Sequence, residues 1–449
     1  MVQNPTKKLT IIVLAAGKGT RMHSNTPKVM HPIGGLPMVG HVVMAAAGLD
    51  PDKIVVVLSP EMTAVKDFVE GLDPRVNVSW QHEQKGTGHA VLSAREHFAN
   101  AQGTVLVMFG DTPLIQTNTL SPVVKACELG AGVSVVAFHD YEENRYGRLV
   151  TDKHGKVERI IEFKDLDEGQ EQISLCNSGV MALRAQHVCG LLDRLECDNA
   201  AHEYYLTDAV CLARKSGLYV DCVAVEKEEL MGINSRYELS IAERAFQERR
   251  RKEIMMAGVT LVDPDTVYFQ HDTRIGKDSL IHPHVTFGSG VQVGSDVEIL
   301  PYSRIEESII GNKATIGPFA YVRKNSTVGK GSHIGGFREV KASTIGEKTL
   351  LKHFGYVGDS EIGDGVTMGA GSVTCNSDGF EKHKTVIEDG AFVGANVSLI
   401  APVIVGKASI IGAGSVVTES VEDYSMSVTR SPQQHYADGA KRYRKKRMN

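Results

Sequence analysis

The sequence predicts two architectures in one chain: an α/β domain with a doubly wound, Rossmann-like sheet, then an all-β parallel β-helix. Three observations carry that reading. Up to about residue 230, short β-branched runs alternate with amphipathic stretches. After residue 275, apolar residues recur every six positions, and between the two regimes residues 237–257 contain neither Gly nor Pro. Composition agrees, because Gly supplies 45 of 449 residues while aromatic residues make up only 6%. A chain rich in Gly and poor in rings turns often or packs small residues in a repeating frame.

In the first half, residues 9–14, 54–58, 76–80, 104–109 and 133–138 read as strands, and 39–47, 63–71, 88–98 and 119–129 as helices. Such alternation calls for a parallel sheet. Ligands of doubly wound sheets gather beyond the carboxyl ends of the strands, so the loops after residues 14, 58, 80 and 109 are the candidate binding loops. Residues 237–257 form a long helix stopped by Gly258. At 1.5 Å per residue it would reach roughly 30 Å. It reads as a strut between a first domain, 1–236, and a second, 258–430, with a basic tail at 431–449. Its Arg249-Arg250-Arg251-Lys252 run, with Glu243, Glu248 and Glu253 nearby, reads as a solvated helix face rather than a nucleic-acid patch.

The six-residue frame begins at Ile275, Ile281, Phe287, Val293, Ile299 and Ile305, slips by one, and runs on through Ile310, Ile316, Val322, Val328, Ile334 and Val340. Further slips give Ile345, Leu351 and Val357, then Ile362, Met368 and Thr374. After an insertion at 375–386 it resumes at Ile387, Val393, Leu399, Val405, Ile411 and Val417, and Gly directly follows many of these residues. A period of six fits neither a 3.6-residue helix nor an ordinary hairpin. It fits a triangular prism whose sides take one hexad each, the aliphatic pointing to the axis and the next residue turning the corner. The flat faces of such a prism stack sideways, which makes a homotrimer the natural assembly.

Charge and cysteine usage exclude several classes. With 49 Lys and Arg against 54 Asp and Glu, the net charge of −5 excludes a general polyanion binder, so no nucleic-acid partner is expected. The charge is uneven, because six of the last nine residues are basic. Seven cysteines without a Cys-x-x-Cys pair make neither a disulfide framework nor a zinc site, which points to the cytoplasm. Lys7-Lys8 and the apolar run after them resemble the start of a signal peptide, but the run stops at Gly17 without a cleavage site. No run approaches the ~18 apolar residues of a membrane span, so no membrane partner is expected.

The chemistry-bearing motifs sit on the expected loops. Leu14-Ala15-Ala16-Gly17-Lys18-Gly19-Thr20-Arg21-Met22, with Pro27-Lys28 beyond, lets backbone N–H groups approach a triphosphate while Arg21 and Lys28 supply charge. It is neither a Walker A loop nor a dinucleotide fingerprint, and alone it serves as readily as a plain strand–helix corner. Gln81 and Gly86-Thr87-Gly88-His89-Ala90 supply an amide and a small loop suited to a pyrimidine edge. Phe109-Gly110-Asp111 offers a carboxylate at the ligand edge, or a helix cap. The islands around Gly147-Arg148, Glu162, Asn177, Thr207 and Asn234 pair amides and carboxylates with Gly or rings, as a sugar requires. In the prism, Arg323, Glu339, Lys341, His353, Tyr356, Asn376 and Lys382 form a polar stretch, with His353 suited to take a proton near neutral pH.

Taken in order over residues 9–432, these motifs resemble the bacterial bifunctional GlmU family. The resemblance implies a left-handed β-helix that acetylates glucosamine 1-phosphate from acetyl-CoA, and an N-terminal domain that transfers UMP from UTP to the product with Mg²⁺. It implies that Leu14, Ala15, Ala16, Gly17, Gln81, Gly86, Thr87, Phe109 and Gly110 hold the nucleotide, with Arg21 and Lys28 on the phosphates. Asp111 and Asn234 would hold Mg²⁺, and Gly147, Glu162, Asn177 and Thr207 the N-acetylglucosamine. In the prism, His353 would be the general base with Glu339 orienting it. Arg323, Glu339, Lys341, Tyr356, Thr367, Asn376 and Lys382 would meet glucosamine 1-phosphate, and Ala370, Asn376, Ser377, Ala395, Ala413 and Arg430 acetyl-CoA. The basic tail would be a disordered solubilising end or a clamp over a neighbouring subunit's coenzyme A phosphates.

The sequence departs from the family pattern at Phe109, usually Tyr, Gly336, usually Asn, Ala342, usually Lys, Thr367, usually Asn, and Ser377, usually Tyr. Two other readings accompany the bifunctional one. The chain could be a uridylyltransferase whose prism only trimerises it, or a non-catalytic nucleotide-sugar scaffold, which would have no need of a metal pair.

Overall fold

The computed structural model describes residues 8–142 and 144–447. They divide into two compact units, the first reaching Phe246 and the second beginning at Gln247.

The first unit is built on a nine-stranded sheet. Along its main path the strands are Val220–Ala224, Val133–His139, Leu175–Arg184, Thr104–Phe109, Leu9–Leu14, Lys53–Leu58 and Val76–Trp80. Every residue of Leu9–Leu14 is buried. Ile11 and Val13 join the core on one face and Ile12 and Leu14 the core on the other, as a strand covered on both sides requires. On the first face, Val39, Val42, Val43 and Ala46 of the helix Met38–Ala47 dock at helical spacing, beside Leu120, Val123, Val124 and Cys127 of Thr117–Glu128. The parallel register aligns Leu14 with Phe109 and Val57, and Leu58 with Trp80. The four candidate loops therefore leave the sheet along one edge.

Two expectations need correction. The sheet is mixed, because Leu175–Arg184 runs antiparallel to both Thr104–Phe109 and Val133–His139. After Val133–His139 the chain forms the hairpin Arg148–Thr151 and Val157–Ile161 and comes straight back, and antiparallel pairing needs no crossover helix. The helix expected over 88–98 is two pieces, Thr87–Leu92 and Arg95–Phe98. Between them the Ser93 hydroxyl donates to His89 O at 3.0 Å, a local side-chain bond that competes with helix continuation.

The second unit is a stack of parallel strands in three sheets of ten, eight and eight, consistent with a hexapeptide-repeat β-helix. Each strand pairs with the one a coil later, so Ile281, Ile299, Ile316, Ile334 and Leu351 form one interior ladder. Every residue of the six-residue frame is buried except Ile275, which is partly exposed at the first coil. The stack extends beyond that frame at both ends, to Thr260–Leu261 and Met426–Ser427.

The glycines after the axial residues have a specific cause. A Cβ at Gly329 would lie 2.5 Å from the Gly346 carbonyl carbon, and one at Gly369 would lie 2.5 Å from Ala395 N. The next coil approaches too closely for any side chain. The left-handed turns fall elsewhere, at Asp278, His284, Asp296, Tyr302 and Lys313, three residues after the axial position.

The long helix runs Arg236–Met256. Its basic run is only in part the solvated face expected: Lys252 is exposed, but Arg250 and Arg251 turn to the first coil. Arg251 is 9% exposed and donates to Val267 O at 3.1 Å and to Asp265, while Arg250 donates to Thr273 O at 2.6 Å. These bonds satisfy carbonyls of the first coil, whose core Ile254 also joins. Within the tail, Gly439–Arg447 forms a basic, exposed helix.

Candidate functional site

The first unit carries a cleft of about 310 Å³ at the strand-end edge of its sheet. It is lined by Leu14, Ala15, Ala16, Gly17, Lys28, Gln81, Gly86, Thr87, Phe109 and Asp111, together with Val29, Gln84, Ala90 and Glu203. Local structure explains why these residues converge. Ala15 N donates to Val57 O and Gly110 N to Leu14 O, both at 2.9 Å, so the turn after the first strand is clamped from both sides. Gln84 Nε2 donates to Ala16 O at 2.7 Å and holds the small-residue turn open. Gly86 has φ +104, and a Cβ there would lie 2.7 Å from Tyr204 O. Tyr204 N donates to Lys85 O and Gly88 N to Tyr204 O, which fastens this loop to the 203–206 segment. Gln81 is buried, with its amide directed to His89 Nδ1 at 3.3 Å and Gly86 O at 3.5 Å. A Cβ at Gly179, φ +87, would lie 2.6 Å from the Phe109 ring.

Asp111 and Asn234 meet at one cation. The Lys28 ammonium pairs with the Asp111 carboxylate and donates to Asn234 Oδ1 at 3.1 Å. Two hard oxygen donors from distant parts of the chain thus already converge on a positive charge. That donor set suits Mg²⁺, which retains several waters and takes few protein ligands. Arg21 lies apart. It is exposed on the turn Thr20–Met22 and does not line the cleft.

The four residues expected around the sugar come together. Thr207 Oγ1 donates to Glu162 Oε1 at 2.8 Å, Asn177 N donates to Gly147 O at 2.8 Å, and a Cβ at Gly147 would lie 3.4 Å from Glu162 Oε2. Burial pushes the Glu162 carboxyl above its ordinary range, with the Thr207 hydroxyl opposing and Asp208, Asp165 and Glu203 adding to the rise. Arg148 turns inward instead and is bonded to Asn144 and Glu171 O.

In the second unit, one sheet gathers the polar stretch. The strands Tyr321–Arg323, Arg338–Lys341, Gly355–Gly358 and Val373–Cys375 stack in register, with Tyr321 opposite Glu339 and Glu339 opposite Tyr356. Alternation points Val322, Val340 and Val357 inward, so Arg323, Glu339, Lys341 and Tyr356 share the outer face. Arg323 donates through Nε and Nη2 to Glu339 Oε1, at 2.9 and 2.7 Å. In this structure Glu339 is paired with Arg323 rather than with His353. His353 is exposed between two strands, and no His353–Glu339 hydrogen bond exists among the described residues.

Asn376 Nδ2 donates to Asp359, and Asn376 also bonds the Tyr356 hydroxyl, whose ionisation burial pushes up. Lys341 is held below the ordinary lysine range by hydrogen-bond contact with Lys382 and by its charge, with Arg323 and Lys324 adding. An anion arriving at this basic cluster relieves that repulsion. The insertion closes as a loop through the Ser377–Lys382 bridge.

Ala370, Ala395 and Ala413 follow one another on successive coils. Asn396 N donates to Ala370 O at 2.7 Å, Gly414 N to Ala395 O at 2.8 Å, and Arg430 Nη1 to Ala413 O at 2.6 Å. Two expected residues stand apart. Thr367 belongs to a different sheet from Tyr356, and Ser377 is exposed in the loop. Gln84 and Val29 are cleft residues that the motifs did not single out. The Gln81-x-x-Gln84 spacing at the strand end was the available signal for Gln84.

Comparison with known proteins adds independent support. The MobA-like NTP transferase domain matches residues 11–203, and the bacterial transferase hexapeptide (six repeats) matches residues 384–419. The chain is 43% identical over 439 residues to the Bifunctional protein GlmU of Paramagnetospirillum magneticum, with 97% of each chain covered. It is 40% identical over 443 residues to that of Zymomonas mobilis, covering 98% of each. It is 44% identical over 427 residues to that of Paracoccus denitrificans, covering 95% of each.

Proposed function

The chain belongs to the bifunctional GlmU family, and from that premise we propose how its residues divide the chemistry. It is an enzyme with two transferase activities, uridylyl transfer in the nucleotidyltransferase domain and acetyl transfer in the hexapeptide domain, which together make UDP-N-acetylglucosamine.

In the first unit, the backbone from Leu14 to Gly17 would receive the UTP phosphates and Gln81, Gly86 and Thr87 the uracil edge. Glu162, Asn177, Thr207 and the Gly147 backbone would hold the N-acetylglucosamine. The phosphate monoester attacks the α-phosphorus in line and pyrophosphate leaves, so two anions must be held together. Lys28 and Arg21 supply that charge, and Arg21, exposed and beside the turn, would swing in with the triphosphate. Asp111 and Asn234 would hold Mg²⁺, which supplies charge neutralisation at the phosphates when bound. The convergence of both residues on the Lys28 ammonium is the observation that carries this assignment.

In the second unit, Arg323, Lys341 and Lys382 would bind the phosphate of glucosamine 1-phosphate, with Tyr356 and Asn376 beside the sugar. His353 would take the proton that the amine sheds as it attacks the thioester carbonyl, and the C–S bond then breaks to release coenzyme A. The file of Ala370, Ala395, Ala413 and Arg430 gives the cofactor a track along the coils. A trimer built on the flat faces of the prism, working in the cytoplasm, completes the proposal. The seven free cysteines suit that compartment, and no helix among the described residues is long and apolar enough to cross a membrane.

Two assays on one preparation test the division. His353→Ala should lower coenzyme A release from acetyl-CoA and glucosamine 1-phosphate by about 10²-fold or more. Pyrophosphate release from UTP and N-acetylglucosamine 1-phosphate should stay unchanged. Equal loss in both assays would remove His353 from its assigned role.

A further inference from the structure

Two residues before each axial residue, the prism holds a second interior position. It is occupied by small or branched side chains, Ser279, Ser303, Ala320, Ser332 and Ser372 among them, all buried. Before Val340 that position is Arg338, which is 1% exposed. Its Nη1 donates to Ser372 O at 3.1 Å and Nη2 reaches Gly369 O at 3.5 Å, while Nε is buried without a partner among the described residues. Burial alone pushes the guanidinium down to about 10, and no carboxylate among the described residues offsets it. Gly355, paired with Arg338 on the next coil, makes the room, because a Cβ there would collide with Arg338 Nη1 and Ser372 O.

A buried cation without a counter-charge costs far more than the serine found at other coils. A rule broken at one coil, with a glycine cleared opposite it, marks a functional position rather than a packing solution. The location agrees. Gly355 lies between His353 and Tyr356, and Gly369 O belongs to the peptide that joins Gly369 to Ala370. We infer that Arg338 is a positioning residue for acetyl transfer: its backbone pairs with Gly355 while its guanidinium, inside the prism, holds the 369–372 turn, and through this it fixes the base relative to the acyl donor. The inference rests on the acetyl-transfer reading above. Bond-making between amine and thioester depends steeply on placement, so a tie that holds two coils together acts on turnover rather than on binding.

The test uses the full chain with Arg338→Met, Arg338→Lys and the double variant Arg338→Ser/Gly355→Ser, which restores the ordinary small residue. Arg338→Met should lower kcat for coenzyme A release by about tenfold or more, with KM for acetyl-CoA within about threefold and pyrophosphate release unchanged. Arg338→Lys, able to reach only one carbonyl, should recover part of that loss. The double variant should recover the thermal midpoint while kcat stays low, and amide hydrogen exchange over 353–358 and 369–372 should remain accelerated. Full kcat in Arg338→Lys or Arg338→Met overturns the inference, as does a double variant that regains kcat together with its midpoint. If the unaltered protein releases no coenzyme A, the acetyl-transfer reading itself fails. Exchange then decides the tie alone, and unchanged exchange in Arg338→Met or Arg338→Lys overturns it.

Discussion

Glu162 shows how one side chain joins recognition to stability. It is held beside Thr207 in a partly buried pocket, and burial raises its carboxyl. A carboxyl raised in the folded state contributes stability that is fully present below its unfolded value, 4.5, and is lost as pH rises through the folded value. At neutral pH the ionised group therefore costs stability that an amide would not. Glu162→Gln should raise the thermal midpoint of the first unit by on the order of 1–3 °C at pH 7.5 and leave it unchanged near pH 4. It should also raise KM for N-acetylglucosamine 1-phosphate, because an amide accepts at one oxygen only. Melts at the two pH values check this, and an equal shift at both contradicts it. At the residue scale the sequence specifies motifs but not their partners. Lys28 is expected on the phosphates, and the family resemblance implies Asp111 and Asn234 around Mg²⁺. That one ammonium bridges both oxygens depends on a contact across 206 positions of chain, which no local pattern encodes.

Among the elements, the helix Arg236–Met256 was legible from its length and the absence of Gly and Pro, but its burial was not. Gln247 is 2% exposed, and its amide both donates to Phe269 O at 2.7 Å and accepts from Phe269 N at 2.9 Å. This bond pair, with the Arg251 bonds to the first coil, satisfies backbone groups that have no preceding coil to pair with. Gln247→Leu strands both Phe269 groups, at about 1–3 kcal/mol each. The transition that acetyl-CoA stabilises should fall by several degrees, with pyrophosphate release at 25 °C unaffected. A calorimetric midpoint unchanged within one degree would sink that account. The strand Leu175–Arg184 is not legible in the sequence for a related reason. Its Asn177-Ser178-Gly179 interruption reads locally as a loop, and the sheet accepts it through a shift in register between Asn177 and Met181.

Among the described residues the first unit has an apolar core on each face of its sheet and a smaller cluster around Ile33, Met38 and Phe246, and the second unit has one core along the prism axis. Two compact units, each with its own apolar core or cores, predict two unfolding transitions. Ligand linkage assigns them, because whatever binds only the folded state raises that state's midpoint. Calorimetry should show one transition raised by UTP with Mg²⁺ and another raised by acetyl-CoA. A single transition raised by both would contradict the separation. Sedimentation equilibrium of the same preparation should return three times the 48.7 kDa chain mass if the prism faces associate as proposed.

By itself the sequence determined the prism, its frame and the loops that carry the first site. Burial along a β-helix repeats every six residues, and strand ends of a doubly wound sheet face one edge, so both are periodic or local properties. Tertiary structure alone decided the mixed strand order, the sharing of Lys28 between Asp111 and Asn234, and the pairing of Glu339 with Arg323. It alone placed the Arg338 guanidinium inside the prism beneath Gly355. Each of these is a contact between coils or loops distant in the chain, settled by which partner's charge or missing side chain happens to lie opposite.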